Sequence, residues 1–208
     1  MAPDNKLLEE VATYYSGKLA EHGETPRGVD WNSEAGQTAR FTQLVKLLPP
    51  QDDFLIQDIG CGYGALYEFL STRYDTFAYR GIDVSEAMLR SARARLGTAK
   101  NIEFKATLDK GDFADFSVAS GIFNVKLNRS DEEWRDYVEQ TLERMAETSR
   151  KGFAFNCLTS YSDAEYMRAD LFYADPCRLF DFCKRKFSRN VALLHDYELY
   201  EFTILVKI

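Results

Sequence analysis

The chain has 208 residues, 45% of them hydrophobic and 28% charged, with a formal net charge of -7 at pH 7. That length suits one domain with a real core, and the composition excludes a disordered or fibrous chain. The acidic balance argues against a general binder of nucleic-acid backbones, which normally carries a basic field, so no nucleic-acid partner is expected. No apolar run approaches the ~20 residues of a membrane span. The opening "MAPDNKLLEE" lacks a basic segment followed by an apolar one, so a cytoplasmic protein with no membrane partner is expected. The four cysteines (Cys61, Cys157, Cys177, Cys183) follow no zinc-ligand spacing and the two histidines, His22 and His195, lie far apart, so no metal site is expected.

In chain order, residues 4–20 carry Leu7, Leu8, Val11, Tyr14, Tyr15 and Leu19 near helical spacing, with Asp4 placed to cap the start. The Gly- and Pro-containing "EHGETPRGVDWN" predicts a loop, and a second helix is expected over 33–48, stopped by Pro49 and Pro50. From residue 54 short apolar runs alternate with amphipathic stretches, the pattern of βαβ units and a largely parallel sheet. Strands are expected near 54–58, 78–82, 102–107, 116–121, 152–158, 190–195 and 200–207, with helices near 64–72, 85–96, 131–149 and 163–187. The turn between the last two strands is too short for a crossover helix, which makes them an antiparallel hairpin. The basic run "KRKFSR" at 184–189 reads as a solvated helix face.

The stretch "DIGCGYG" (58–64) follows the first apolar strand and places Gly60, Gly62 and Gly64 at alternate positions. Glycines there allow positive φ and close approach of a ligand to bare backbone at the start of a helix. The next strand ends in "GIDVS", where Asp83 stands ready to accept both hydroxyl protons of a ribose and Ser85 to cap the following helix. Gly60, Gly62 and Ala65 also satisfy the dinucleotide fingerprint, which keeps an NAD(P)-binding oxidoreductase open as a reading.

These motifs resemble those of the class I S-adenosylmethionine-dependent methyltransferases, and the resemblance spans most of the chain. It implies an α/β, Rossmann-like seven-stranded sheet, mostly parallel with an antiparallel last strand, in one methyltransferase domain whose core is 51–208; the N-terminal helices have no place in that sheet, and residues 1–50 are expected to form a helical lid. It implies S-adenosyl-L-methionine as cofactor, methyl transfer to oxygen or nitrogen of a small-molecule substrate, and a site containing Asp58, Cys61, Asp83, Val84, Met88, Ser120 and Gly121 besides the three glycines. By the same resemblance Arg40, on the helix before the first strand, faces the methionine carboxylate. Many members carry an acid just after the third strand against the adenine amino group; here "FKATLDKGD" offers Thr107 and Leu108 first, and the adenine contact is assigned to their backbone. A non-catalytic methyltransferase-like binding subunit is also compatible with these motifs.

His195 ends the sixth expected strand on the ligand side and is the candidate general base, with Asp196 to orient it and Tyr197 beside it. Tyr14, Trp31, Phe123, Asn124, Tyr161 and Tyr200 are expected to wall the substrate pocket, with Tyr166, Phe172 and Tyr173 as further aromatic surface. The segment "GIFNVKLN" is not the Asn-Pro-Pro-aromatic sequence of methyltransferases acting on nucleobase amines, a second reason to expect a small metabolite as substrate.

Overall fold

The computed structural model describes residues 5–50, 53–97 and 100–208; the cap expected at Asp4 lies outside them. Helix α1 (Asn5–His22) is followed by a 3-10 turn at Pro26–Val29 and by α2 (Glu34–Leu44), whose N-cap Ser33 accepts from the Gly36 amide. The chain then alternates β1 (Leu55–Ile59), α3 (Ala65–Ser71), β2 (Ala78–Ile82), α4 (Glu86–Leu96), β3 (Ile102–Lys105), β4 (Ala114–Ala119), α5 (Asp131–Thr148), β5 (Ser149–Leu158), α6 (Pro176–Lys186), β6 (Asn190–Leu194) and β7 (Glu201–Lys207).

The strands form one seven-stranded sheet in the order β3-β2-β1-β4-β5-β7-β6. β7 runs antiparallel to both β5 and β6, while the pairs from β3 to β5 are parallel. The order reverses between β1 and β4, and ligands of open parallel sheets bind at the carboxyl ends of the strands where that happens.

Alternation along the strands divides the core. Phe153, Phe155, Phe202, Ile204 and Val206 face α5 and α6 on one side with Trp134, Val138, Leu142 and Leu179. Ile56, Tyr79, Phe116, Val118 and Leu205 face α2, α3 and α4 on the other with Phe41, Leu44, Leu66, Leu70 and Leu89. α5 starts at a capping box: the Glu133 amide donates to the Ser130 hydroxyl, and the Ser130 amide to the Glu133 carboxylate.

The structure corrects one element. The helix expected over 163–187 is a single 3-10 turn at Ala164–Tyr166, an extended segment, and then α6. The extended segment forms isolated bridges, Val125 with Leu171 and Thr159 with Ala174, which consume the amides a helix would need. Helix geometry restarts where Asp175 caps and Pro176 occupies the first turn, the position where its missing N–H costs nothing. No helix among the described residues is long and apolar enough to cross a membrane.

Candidate active site

The loop leaving β1 is pinned to the end of β2, because the amides of Gly60 and Cys61 both donate to the Ile82 carbonyl, at 2.7 and 3.0 Å. Gly60 has φ +77°, and a Cβ there would lie 2.1 Å from Ile122 Cγ2, so conformation and space both require glycine. Gly64, at φ +89°, serves packing instead: a Cβ there would press on Leu96 of α4 at 2.7 Å. Asp83 sits at the C-terminal end of β2, where its Oδ2 accepts from the Gly62 amide at 2.9 Å and its Oδ1 from the Ser85 amide at 2.8 Å. Ser85 in turn caps α4 by accepting from the Met88 amide at 3.2 Å. Asp58, one strand over, accepts from the Tyr79 hydroxyl at 2.7 Å.

Both carboxyls are buried and no cation among the described residues pairs with them, and burial pushes them up, Asp83 to about 6 against its two backbone donors, and Asp58 to about 7 against its Tyr79 hydrogen bond and with help from the Asp83 charge. Between these elements lies a cavity of about 900 Å³ of non-atom space, part of it open to solvent. Asp58, Gly60, Cys61, Gly62, Asp83, Val84, Met88, Ser120 and Gly121 line it. The N-terminal segment closes it with Val11, Tyr15, Val29, Trp31, Gln37 and Phe41, and Tyr137 of α5 completes the wall. Polar bonds fasten that cover to the core: Ser16 to Ser85 at 2.9 Å, Arg95 to Glu24 at 3.1 Å, Arg129 to Glu10 at 3.0 Å. The Trp31 indole lies so close on the loop leaving β4 that a Cβ at Gly121, whose φ is +80°, would meet it at 2.3 Å.

A family profile described as a methyltransferase domain matches residues 56–152. The putative methyltransferase Rv1506c of Mycobacterium tuberculosis (strain ATCC 25618 / H37Rv) is 54% identical over 163 residues, covering 78% of this chain and 98% of that protein. The chain belongs to the class I S-adenosylmethionine-dependent methyltransferases. Solved structures share the fold of this methyltransferase. Magnesium protoporphyrin IX methyltransferase (ChlM) from Synechocystis PCC 6803 with bound S-adenosylmethionine superposes with TM-score 0.65 at 15% identity over 99% of this chain and 98% of that one. The N-methyltransferase NodS from Bradyrhizobium japonicum WM9 with S-adenosylhomocysteine gives 0.64 at 16% identity, over 94% and 97%.

The cofactor is S-adenosyl-L-methionine, and the methyltransferase's own geometry fits it. Each Asp83 oxygen, having accepted one amide, keeps a lone pair for a ribose hydroxyl, and Gly60 and Gly62 present bare backbone beside it.

Several residues singled out in the sequence lie elsewhere. Arg40 is off the cavity lining: its guanidinium stacks on Trp31 at 3.9 Å and donates to Glu201. Thr107 and Leu108 follow the end of β3 and line no part of the cavity. Phe123 is fully buried in the core, edge-on to Phe155, with its carbonyl accepting from the Trp134 indole. Asn124 donates to Glu201 at 3.2 Å and accepts from the Leu158 amide at 3.0 Å, a structural joint between strand ends. Tyr14 points its hydroxyl to Asp30 at 2.9 Å, while the cavity position belongs to Tyr15.

His195 and Asp196 are exposed just past β6, with β5 and β7 between them and the loop of β4, so the structure does not bring them to the cavity. His195 lies between the rings of Tyr161 and Phe202, at 6.0 and 6.2 Å. The Tyr197 hydroxyl bonds Thr203 at 3.0 Å. Tyr161 and Tyr200 are exposed on the same side, with Tyr200 bonded to Asp163. Tyr137 is a cavity residue that sequence reasoning missed, and of the neighbours Tyr14 and Tyr15 it is Tyr15, not the expected Tyr14, that lines the cavity. The pair "YY" marked the right helix turn, but adjacent helical residues point about 100° apart and only packing selects between them.

Proposed function

We propose that this methyltransferase acts on an oxygen or a nitrogen of a small-molecule acceptor, with residues 1–50 serving as a lid that closes over cofactor and acceptor together. The observation that carries the reading is the seating of Trp31: an indole from the N-terminal segment covers the loop leaving β4 and forms part of the cavity wall. An acceptor admitted past such a cover must be small or present a slender end.

The cofactor, when bound, supplies a methyl group already activated on a sulfonium, so the chain's work is to position and to exclude water. In this reading Asp83 accepts from the ribose hydroxyls. The backbone of Gly60, Cys61, Gly62, Ser120 and Gly121 lies along the ligand, Val84 and Met88 wall it, and Asp58 supplies negative potential near the cationic centre. Arg40, held by Glu201, keeps Trp31 in place. The exposed Tyr161, Tyr200 and His195 meet the distal part of the acceptor, beyond the reacting atoms.

Incubation of the purified protein with S-adenosylmethionine and fractionated small-molecule extracts tests this. Release of S-adenosylhomocysteine together with a fraction component that gains one methyl is the expected result; turnover only with protein or nucleic-acid fractions would refute it. A Trp31→Ala variant should raise the KM for that acceptor while S-adenosylhomocysteine still binds.

A further inference from the structure

The acids that follow β3 are engaged with one another's partner. Lys105 Nζ bonds both oxygens of Asp112, at 2.6 and 2.5 Å, and reaches Asp109 at 3.3 Å, while the Asp109 amide donates to Asp112 at 2.8 Å. No residue of 106–113 lines the cavity. A base attached to a ribose held on Asp83 therefore needs another polar partner close to Asp83. Ser85 is occupied, its hydroxyl shared with Ser16 and with the Met88 amide.

Three tyrosines line the cavity wall; the Tyr63 hydroxyl is shared with Gln37 at 3.4 Å, which leaves Tyr15 from α1 and Tyr137 from α5. Among the described residues the Tyr15 hydroxyl joins no hydrogen bond, and no buried polar side-chain atom lacks a partner, so this hydroxyl is one that the cavity reaches.

We propose that Tyr15 and Tyr137 read the edge of the cofactor's adenine, in place of an acid after β3. The chemistry of the reader differs from that of a carboxylate in one consequential way. An ionised carboxylate only accepts, which suits an exocyclic amine and rejects a carbonyl; a tyrosine hydroxyl both donates and accepts. Burial keeps both hydroxyls protonated: Tyr137 is pushed up to about 12 and Tyr15 is raised further, with the Asp83 charge adding to each. A donor is therefore retained across the working pH range. This enzyme accordingly tolerates a 6-oxo purine where an acid would exclude it. Because Tyr15 rides on α1, binding of the base also draws the N-terminal segment onto the core.

The proposal rests on Asp83 as the ribose partner, and the test separates the two. Calorimetric titrations of the full chain with S-adenosylhomocysteine, S-inosylhomocysteine and S-adenosylmethionine are run on the wild type and on Tyr15→Phe, Tyr137→Phe and Asp83→Asn. The wild type is expected to bind the adenosyl and inosyl ligands within about tenfold of each other, and each Phe variant to lose roughly five- to tenfold, the weight of one neutral hydrogen bond. That loss should be equal for S-adenosylhomocysteine and S-adenosylmethionine. A loss confined to S-adenosylmethionine would turn the hydroxyls toward the sulfonium and overturn the proposal, as would unchanged affinities in both Phe variants. Rejection of the inosyl ligand by more than about a hundredfold would do the same, since it requires an acceptor-only group at the base. Unchanged affinity in Asp83→Asn would instead remove the underlying ribose assignment.

Discussion

Arg40 and Glu201 meet through a two-pronged pair, the Nε and Nη2 of the guanidinium each donating at 2.8 Å to a different carboxylate oxygen. Glu201 is 1% exposed and Arg40 12%, so the pair is largely withdrawn from water, and Trp31 stacks on its outer face. Removing one member of a buried pair strands the other charge, which costs about 3–5 kcal/mol, whereas removing both costs less than the sum. Arg40→Ala should therefore lower unfolding free energy in urea by about 3 kcal/mol, and the Arg40→Ala/Glu201→Ala double variant should recover part of that. An Arg40→Ala cost under about 1 kcal/mol would show that the pair does not hold α2 to β7.

This pair also shows where sequence reasoning stops. The β1 strand, the glycine loop and Asp83 follow one another within 30 residues, and their signals are local: an apolar run, positions that only glycine satisfies, an acid at a strand end. Glu201 lies 161 residues from Arg40, and no local pattern announces that the arginine's charge is taken. The same limit applies to residues 167–175, whose aromatic spacing suits a helix until Leu171 and Ala174 bridge to chain segments far away in sequence. His195 falls on the expected side of the sheet, but strand order, which places β7 inside β6, decides how far it stands from the cavity.

Two glycines with similar positive φ separate conformational strain from crowding. Gly60 and Gly97 have φ of +77° and +70°, but a Cβ at Gly97 meets nothing within 4 Å, whereas one at Gly60 meets Ile122 at 2.1 Å. Gly97→Ala should cost about 1–3 kcal/mol of backbone strain, because φ +70° with ψ -156° is a conformation almost reserved for glycine, and should leave S-adenosylhomocysteine affinity unchanged. Gly60→Ala must in addition displace Ile122 from the cavity wall, and its affinity should fall by more than about tenfold. Equal binding by the two variants would show that the approach of Ile122 to Gly60 has no bearing on the site.

The buried carboxyls make stability depend on pH in a defined direction. Asp58 and Asp83 are raised from 3.8 to about 7 and about 6, so the folded state holds protons that the unfolded chain releases. Their contribution to stability is complete below the unfolded value and is lost as pH rises through the folded values, a window from about 4 to 7. In the ligand-free protein, Asp58→Asn should flatten that decline, and urea midpoints measured at about pH 5 and about pH 8 would show it. Cofactor affinity should run the opposite way, strengthening as Asp83 ionises to accept from the ribose hydroxyls. A decline equally steep in Asp58→Asn would assign the dependence to other groups.

The exposed position of His195 gives the clearest kinetic contrast. A general base in contact with the acceptor's reacting atom contributes about a hundredfold or more to turnover, and its loss appears in kcat. His195 stands past β6, against Tyr161 and Phe202, with two strands between it and the loop bearing Gly121. Contact there with the acceptor's distal part would be felt equally in ground and transition states, and such uniform binding appears in KM alone. His195→Ala, assayed on an identified acceptor, should raise KM severalfold while kcat stays close to that of the wild type. A hundredfold fall in kcat would require β6 and the chain after it to move onto the cavity during turnover and would restore His195 as the base.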